Sequence, residues 1–414
     1  MNCRHLRKNL AAHRAALALF AAGLAAVALF RVLRNSSAAM TWWVERVSMP
    51  FKQAVSALVD PLPFSFCELA ATLAILACLI LLGRCVWLAV RRRVFRFGTW
   101  ALHTATVVLW ICAAVCALWG TQYYAPGFAR RAGMKTPPLS VDQLACVADF
   151  FARRADALAH AVPRDETGCF AVGAQEILDA SGGIYDAIVE EYPFLEAPAR
   201  RPKPAFYSKL MSAAGFTGYL CPLFGESTLN VDCPAVFLPV TVAHEFSHQR
   251  GVAAEQEANF VGIRAATTCG DAVYAYSGWL FGYLHLSNAW YSVDPAGASE
   301  HYRTLSEPVR ADLAANNEYW ARWEGPAREA GEKVYTEFLK SYDQELGMKS
   351  YGACVDLLVE YYLPLAQTPG TDPAAHSSIP RPWEQAGDAF HLQGVCIRAA
   401  APPRVWPLPW MMYL

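Results

Sequence analysis

Two histidines one helical turn apart, with a glutamate beside the first, have the residue types and spacing that best suit chemistry in this chain. They are His244 and His248, with Glu245 next to His244. Side chains four residues apart share one face of a helix, so the two imidazoles can bind one metal ion. Glu245 lies beside that face, where it can take a proton from a metal-activated water without occupying a ligand position.

The residues around this motif predict a helix. Pro239 suits the first helical turn, because the N–H group that proline lacks has no intrahelical partner there. Gly251 suits the left-handed position just beyond the helix end. No residue between them breaks a helix, so the sequence predicts a continuous helix that presents both imidazoles in the same direction.

A second helical motif follows within one or two turns. Glu255 and Asn259 are again four residues apart, in the string Glu-Gln-Glu-Ala-Asn, and share a helical face. The string resembles the glutamate helix of the gluzincin metallopeptidases. The resemblance implies that Glu255 is the third zinc ligand and that Asn259 holds a ligand or the helix in place. Three protein ligands leave a fourth position for water, which a hydrolytic zinc site needs.

Glu257 is the competitor for the third ligand position. On a helix it points roughly 200° away from Glu255, so only one of the two can face the metal. Glu255 is preferred because its relation to Asn259 matches the gluzincin pattern. The metzincin pattern would need a histidine where this chain has Ala254, which excludes that subclass. Since the gap after His248 is short for a gluzincin, the chain is expected to reverse sharply at Gly251.

Composition indicates a membrane protein. The 414 residues are 55% hydrophobic and 17% charged, against roughly 45–50% and 25% for an average soluble domain. The net charge of −1 provides no basic field for nucleic acid, so the partners expected are the lipid bilayer and a peptide or protein substrate. The apolar excess predicts three transmembrane helices, at about 15–33, 69–90 and 99–119.

The distribution of basic residues predicts the orientation of these helices. Arginine and lysine cluster before the first helix and between the second and third, which places both segments in the cytoplasm. The third helix then runs outward, and the protein is predicted to be a multi-pass protein of the cell membrane. Three domains are predicted: a membrane domain over 1–125, an extracytoplasmic domain over 126–368, and a Pro/Ala-rich, poorly ordered tail over 369–414.

The extracytoplasmic part is predicted to be α+β and mainly α. Helical periodicity covers 141–161 and 175–192, and 306–346 is expected to form polar helix with a solvated face. Residues 227–232 have β character. In a zincin, the strand just before the active helix commonly runs along the cleft edge. We expect 227–232 either to pair with an extended substrate there or to form a structural hairpin.

The order of motifs is similar to that of a family of bacterial membrane proteins of unknown function. The similarity rests on the three apolar segments and on six short strings that follow them in the chain. These strings are Ser-Lys-Leu-Met, Gly-Phe-Thr-Gly-Tyr, His-Glu-Phe-Ser-His-Gln-Arg-Gly, Glu-Gln-Glu-Ala-Asn-Phe, Tyr-Ser-Gly and Lys-Ser-Tyr-Gly. The resemblance covers about residues 10–365. It implies a zincin-like membrane protein and supplies no substrate.

The function expected from the sequence is that of a membrane-anchored zinc metallopeptidase. His244, His248 and Glu255 would hold Zn²⁺, and Glu245 would serve as the general base toward a zinc-activated water. An oxyanion donor is also needed, and spacing leaves four candidates open: His285, His301, Arg303 and Tyr351. Two alternatives are a non-catalytic receptor or scaffold with a zinc-stabilised ectodomain, and an amidase of the cell envelope.

Overall fold

The computed structural model describes residues 3–91, 94–135, 137–344 and 351–368. The chain divides into two units. The first comprises Met1–Pro126 together with Cys221–Glu226, and the second comprises Gly127–Leu220 with the rest of the chain from Ser227. The assignment of 221–226 to the first unit was not anticipated from the sequence. The tail predicted to be poorly ordered, 369–414, lies outside the described residues.

The first unit is helical over its described residues. Its α-helices are α1 (Cys3–Leu33), α2 (Ser37–Trp43), α3 (Met49–Val59), α4 (Phe66–Val90) and α5 (Val94–Leu118). A π-helical turn, Val44–Ser48, joins α2 to α3, and a 3₁₀ turn, Gly120–Tyr124, follows α5.

Three of these helices are long and apolar enough to cross a membrane: Arg14–Leu33 within α1, Phe66–Val90, and Phe97–Leu118 within α5. Their boundaries differ from the predicted spans by a few residues. The apolar side chains of α4 are largely exposed, Ile80 for example to 70%. Since lipid is the solvent in which such a surface is stable, the three helices indicate a membrane protein.

The second unit is mainly helical, with one small sheet. Its helices begin with α6 (Phe128–Arg131), α7 (Val141–Ala159), α8 (Ala174–Asp179), α9 (Asp186–Glu191) and α10 (Ser208–Ala214). They continue with α11 (Leu238–Gln249), α12 (Glu255–Thr268), α13 (Ala272–Val293), α14 (Pro295–Thr304), α15 (Glu307–Ala321), α16 (Pro326–Ser341) and α17 (Tyr351–Ala366). The strands are β1 (Lys203–Pro204), β2 (Gly218–Leu220) and β3 (Ser227–Leu229).

The single helix predicted over 175–192 is wrong. The structure breaks it into α8 and α9, which a turn over 180–185 separates. Gly182 and Gly183 lie in that turn, and glycine costs a helix about 1 kcal/mol relative to alanine. The apolar periodicity continues on both sides because both short helices bury residues such as Ile177 and Ile188 in the core.

The sheet order is β1–β3–β2. β3 pairs in parallel with β1 and antiparallel with β2, in a register that sets Tyr219 opposite Thr228. Of the two roles expected for 227–232, the structural hairpin is confirmed, because β3 pairs antiparallel with β2. The expectation of a strand at the cleft edge is wrong, because β3 is hydrogen-bonded on both sides. Among the described strands, β1 and β2 are at the edges of the sheet.

The hydrophobic core of the second unit surrounds α11 and α12. All twelve residues of α11 are buried, so the helix with the two histidines runs through the interior. α12 packs closely against it at Gly262, where a Cβ would lie 2.8 Å from the backbone nitrogen of His244. The backbones can approach this closely only because residue 262 has no side chain, and the approach brings the start of α12 toward the histidines.

Candidate metal centre

The chain reverses between α11 and α12 as the sequence predicted. Gly251 has a φ of +86°, the left-handed conformation that glycine adopts without strain. Its N–H donates to the carbonyl of His248 (3.1 Å), and the N–H of Val252 donates to that of Ser247 (3.1 Å). These bonds close the end of α11 and start α12 within a few residues. Glu255 is the first residue of α12 and faces back toward α11.

His244, His248 and Glu255 lie together as a group that could hold a metal ion. Oε2 of Glu255 is 3.3 Å from Nε2 of His244 and 3.5 Å from Nε2 of His248. A tetrahedral zinc ion with ligand distances of about 2.0–2.1 Å sets its ligand atoms roughly 3.3 Å apart. Oε2 of Glu255 therefore stands at the spacing from both imidazole nitrogens that a small divalent ion requires, and the three ligand atoms lie within 4.8 Å of one another. Their chemistry, two imidazoles and a carboxylate, fits zinc.

Glu257 has a different role from Glu255. Its carboxylate accepts hydrogen bonds from the backbone N–H groups of Phe128 (2.7 Å) and Ala129 (3.0 Å) at the start of α6. Both of its oxygens are engaged in this way, on the opposite side of α12 from Glu255. The structure thus separates the two glutamates that the sequence left in competition, and it groups Glu255 with the histidines.

An imidazole that binds a metal through one nitrogen usually makes a hydrogen bond through the other, which fixes its tautomer and orientation. Nδ1 of His248 lies 2.6 Å from the carbonyl oxygen of Val252, which favours the tautomer with a proton on Nδ1 and a free lone pair on Nε2. Nδ1 of His244 is buried and makes no hydrogen bond to the described residues. Asn259, predicted to support the ligands, is buried one turn after Glu255 on α12, and its supporting role remains a prediction.

Glu245 lies beside the three donors and outside their group. It is 3% exposed, and its Oε2 atom has no hydrogen-bond partner among the described residues. Burial raises the pKa of its carboxyl group, an effect that charges on His244 and His248 oppose. A buried carboxylate with a raised pKa, and with one oxygen that makes no hydrogen bond to the described residues, is suited to accept a proton and release it again.

The electrostatics of Glu255 differ from those of Glu245. Burial opposes the ionisation of Glu255, yet the neighbouring His248 and His244 hold its pKa well below the usual value. Burial also opposes the charge on His248, but Glu255 raises the pKa of that imidazole to about 9. The carboxylate of Glu255 is therefore kept ionised beside the histidines, while burial favours the protonated form of Glu245.

β2 runs directly alongside Glu245. A Cβ atom on Gly218 would lie 2.8 Å from Oε1 of Glu245 and 3.1 Å from Cδ1 of Leu229. Any side chain at position 218 would therefore push the carboxylate from its place. This constraint was not recognised from the sequence, although Gly218 lies in the Gly-Phe-Thr-Gly-Tyr string on which the family resemblance rests.

Tyr335 of α16 also reaches the site. Its hydroxyl donates to Oε1 of Glu255 at 2.5 Å, leaving Oε2 of Glu255 directed at the two histidines. The ring packs edge-on against Phe216, with centroids 5.7 Å apart. The sequence assigned this region to a solvated polar face, and no motif around Tyr335 would have identified it as a contact of a ligand.

His285, a candidate oxyanion donor, lies close to the cluster but is buried in α13. Its ring contacts Phe281, with centroids 4.4 Å apart. Burial, together with the charge of nearby His244, lowers the pKa of His285 to about 4. The imidazole is therefore neutral at physiological pH. It lies in the core near His244.

The other oxyanion candidates are engaged elsewhere or are outside the described residues. His301 contacts Asp149, with Nε2 3.3 Å from the carboxylate. Arg303 pairs with Glu300 at 2.8 Å on an exposed surface. The side chain of Tyr351 lies outside the described residues. The oxyanion donor stays a prediction.

Comparison with known proteins identifies the family of this chain. Residues 44–359 match the model of a family described as a protein of unknown function, DUF3810. The chain belongs to the DUF3810 family. This agrees with the resemblance to a membrane family of unknown function that the order of motifs suggested. No curated protein and no solved structure matches the chain. Family membership therefore assigns neither a reaction nor a substrate.

The contact between Tyr335 and Glu255 leads to a first prediction. Tyr335→Phe removes the hydroxyl that holds one oxygen of Glu255, and we expect metal affinity to fall about 10–100-fold with the fold retained. Competition with a fluorescent zinc chelator measures the change. The matched control is Tyr319→Phe, which removes hydroxyl contacts to Ser212 and Asp232 away from the donors. Equal affinities for the Tyr335 variant and the wild type would show that the hydroxyl does not position Glu255.

Proposed function

We propose that the protein is a membrane-anchored zinc metallopeptidase that hydrolyses peptide bonds on the extracytoplasmic side. The observation that supports it most is the combination of three donor atoms within 4.8 Å of one another with a buried carboxylate, Glu245, that is not among them. A structural zinc site closes four positions with protein ligands and has no use for a base. Among the described residues this group has three members, which leaves a position for water.

The residues have separate roles in this proposal. A zinc ion held by His244, His248 and Glu255 would polarise a substrate carbonyl and lower the pKa of a water molecule to roughly 7. Glu245 accepts the proton of the attacking water and then delivers it to the leaving amine. Tyr335 and the carbonyl of Val252 keep Glu255 and His248 in their orientations.

The edge strand β2 is the proposed binding site for the substrate backbone. Among the described strands β2 lies at an edge of the sheet and pairs with β3 along one side, so an extended peptide would pair along its other side. Gly218 of β2 lies beside Glu245, so a peptide paired there would pass the general base. The role that the sequence suggested for 227–232 is thereby proposed for 218–220.

A cleavage screen tests the proposed function. The full-length chain, purified in detergent with zinc, is incubated with a peptide library and with peptidoglycan fragments, and products are identified by mass spectrometry. Peptide cleavage that a chelator stops and zinc restores, and that is absent with Glu245→Gln, supports a peptidase. Cleavage confined to the envelope fragments would favour the amidase. Absence of any hydrolysis would favour a receptor or scaffold.

Gly218→Ala tests the approach of β2 to Glu245. The added methyl group would crowd the carboxylate, and displacing a catalytic group by about 1 Å can cost on the order of 10²-fold in rate. We expect that loss in hydrolysis without loss of metal. Gly182→Ala is the control, because a Cβ there meets nothing within 4 Å. An undiminished rate for Gly218→Ala would show that Glu245 does not act from its position beside β2.

The proposed orientation has a cytoplasmic N-terminus and an external catalytic unit. It is supported by the arginine-rich segments before the first apolar helix and between the second and third. In a background without other reactive cysteines, Ala199→Cys on an exposed loop should react with a membrane-impermeant maleimide in intact cells. A cysteine introduced at Phe95 should react only after lysis. Protection of residue 199 in intact cells would reverse the topology.

A further inference from the structure

Two cysteines far apart in sequence meet in the first unit. Cys67 is the second residue of α4, and Cys221 begins the segment 221–226 that connects β2 with β3. Their side chains interact, since a side-chain hydrogen bond with Cys67 is the largest cause that lowers the pKa of the Cys221 thiol. Both residues are thiols in the structure.

Hydrogen bonds to Glu226 hold the backbones of the two cysteines close together. The N–H of Cys67 donates to the Glu226 carboxylate at 3.0 Å, and the N–H of Cys221 donates to the Glu226 carbonyl at 2.8 Å. The same carboxylate accepts from the hydroxyl of Ser65 (2.7 Å) and the N–H of Phe66 (3.1 Å). A single residue thus binds the first turn of α4 and the backbone of Cys221.

Packing supports the same arrangement. The ring of Phe66 meets that of Phe224 edge-on, with centroids 5.0 Å apart. Gly225 lies against α3, where a Cβ would be 3.2 Å from the carbonyl oxygen of Lys52. The segment 221–226 is therefore held on α3 and α4 of the first unit, with Cys221 close to Cys67.

We propose that Cys67 and Cys221 are a disulfide-forming pair that joins the segment 221–226 covalently to the first turn of α4. A disulfide sets its sulfurs about 2 Å apart and needs the two backbones close together, which the shared hydrogen bonds to Glu226 provide. The proposal does not depend on the metal centre. Under the proposed orientation this end of α4 is extracytoplasmic, in a compartment where disulfides persist.

The oxidant in this proposal is an external disulfide, such as oxidised glutathione. Cys67, the more exposed thiol, loses its proton and attacks the external S–S bond, which forms a mixed disulfide and releases one thiolate. Cys221, as thiolate, then attacks the sulfur of Cys67 and releases the second. Two protein thiols are oxidised, one external disulfide is reduced to two thiols, and the two protons pass to the released thiolates.

The surroundings of Cys221 suit the second step. In the reduced pair the hydrogen bond from Cys67 lowers the pKa of Cys221, burial opposes this, and the backbone N–H groups of Leu223 and Phe224 lower it further. Once Cys67 is a mixed disulfide it has no proton to donate, so these two N–H groups are the ones that stabilise the Cys221 thiolate in the second step. The thiolate is the form that attacks a disulfide, so a stabilised Cys221 thiolate is ready to resolve an adduct on Cys67. Since Cys221 is 4% exposed, an external disulfide reaches Cys67 first.

Differential alkylation of the full-length chain in detergent tests the proposal. After incubation with oxidised glutathione, thiols are blocked with N-ethylmaleimide, disulfides are reduced and labelled with a second reagent, and peptides are quantified. We expect Cys67 and Cys221 to carry the second label together, with a cross-linked peptide in the unreduced digest. Cys78, exposed on the same helix, is the control and should carry no cross-link to Cys221.

Two variants test the order of the steps. Cys221→Ser should retain glutathione on Cys67, because the resolving thiolate is missing, while Cys67→Ser should leave Cys221 a thiol. The proposal would be overturned by reaction of Cys67 and Cys221 with N-ethylmaleimide in the oxidised wild type. A stable glutathione adduct on wild-type Cys67, or a cross-link of Cys221 to Cys233, would equally overturn it.

Discussion

Glu245→Gln is expected to lower the rate of hydrolysis by about 10²–10⁴-fold while metal content stays at the wild-type level. Glutamine has the size and hydrogen-bonding capacity of glutamate but cannot accept the proton of the attacking water. Metal should be retained because Glu245 is not among the three donors. Stability should not fall, since the substitution replaces a buried carboxyl group with a neutral amide.

Kinetics on a peptide identified by the cleavage screen measure this effect. The loss should lie in kcat rather than in KM, because proton transfer is made in the transition state and not on binding. Metal analysis and thermal unfolding of the same preparation are the controls. A Glu245→Gln protein that hydrolyses at the wild-type rate would contradict the role of Glu245 and would favour a structural metal site in a receptor or scaffold.

Removal of any one donor should instead abolish the stabilisation that metal provides. A ligand that binds only the folded chain, present at 1,000 times its Kd, raises the free energy of unfolding by about 4 kcal/mol. We expect zinc to raise the unfolding temperature of the wild type. We expect it to leave the unfolding temperatures of His244→Ala, His248→Ala and Glu255→Ala nearly unchanged. These variants and Glu245→Gln would all be inactive, for reasons that the zinc response separates.

Glu257→Gln is the matched control for Glu255→Ala. Glu257 holds the start of α6 through the N–H groups of Phe128 and Ala129, so its substitution should lower the baseline stability. The upward shift on adding zinc should remain. If Glu257→Gln abolished the zinc response and Glu255→Ala did not, the third ligand would be Glu257, half a helical turn from the proposed one.

The spacing of the histidines was predictable because it depends only on helix geometry. His244 and His248 share a face whenever the segment is helical, and Pro239 and Gly251 mark its ends in the sequence. The choice between Glu255 and Glu257 was harder, because both lie in the first turn of the same helix. The structure groups Glu255 with the histidines, and N–H groups of α6, a distant part of the chain, engage Glu257.

The surroundings of the site could not be derived from local patterns. Tyr335 reaches Glu255 only through tertiary packing of α16, a helix whose polar composition predicted exposure. The close approach of Gly218 to Glu245 depends on the sheet order, and short strands carry too little periodicity to predict that order. Both contacts reach side chains of the candidate metal centre and belong to no helical repeat.

The number and identity of metal ions per chain test the central claim most directly. The full-length protein in detergent is stripped with a chelator, equilibrated with equimolar zinc, manganese, nickel and iron(II), desalted and analysed by mass spectrometry for metals. We expect about one zinc per chain for the wild type, and none for a variant that lacks His244, His248 and Glu255 together. Wild-type protein without bound metal, or the same metal content in the triple variant, would contradict a metal centre at these residues.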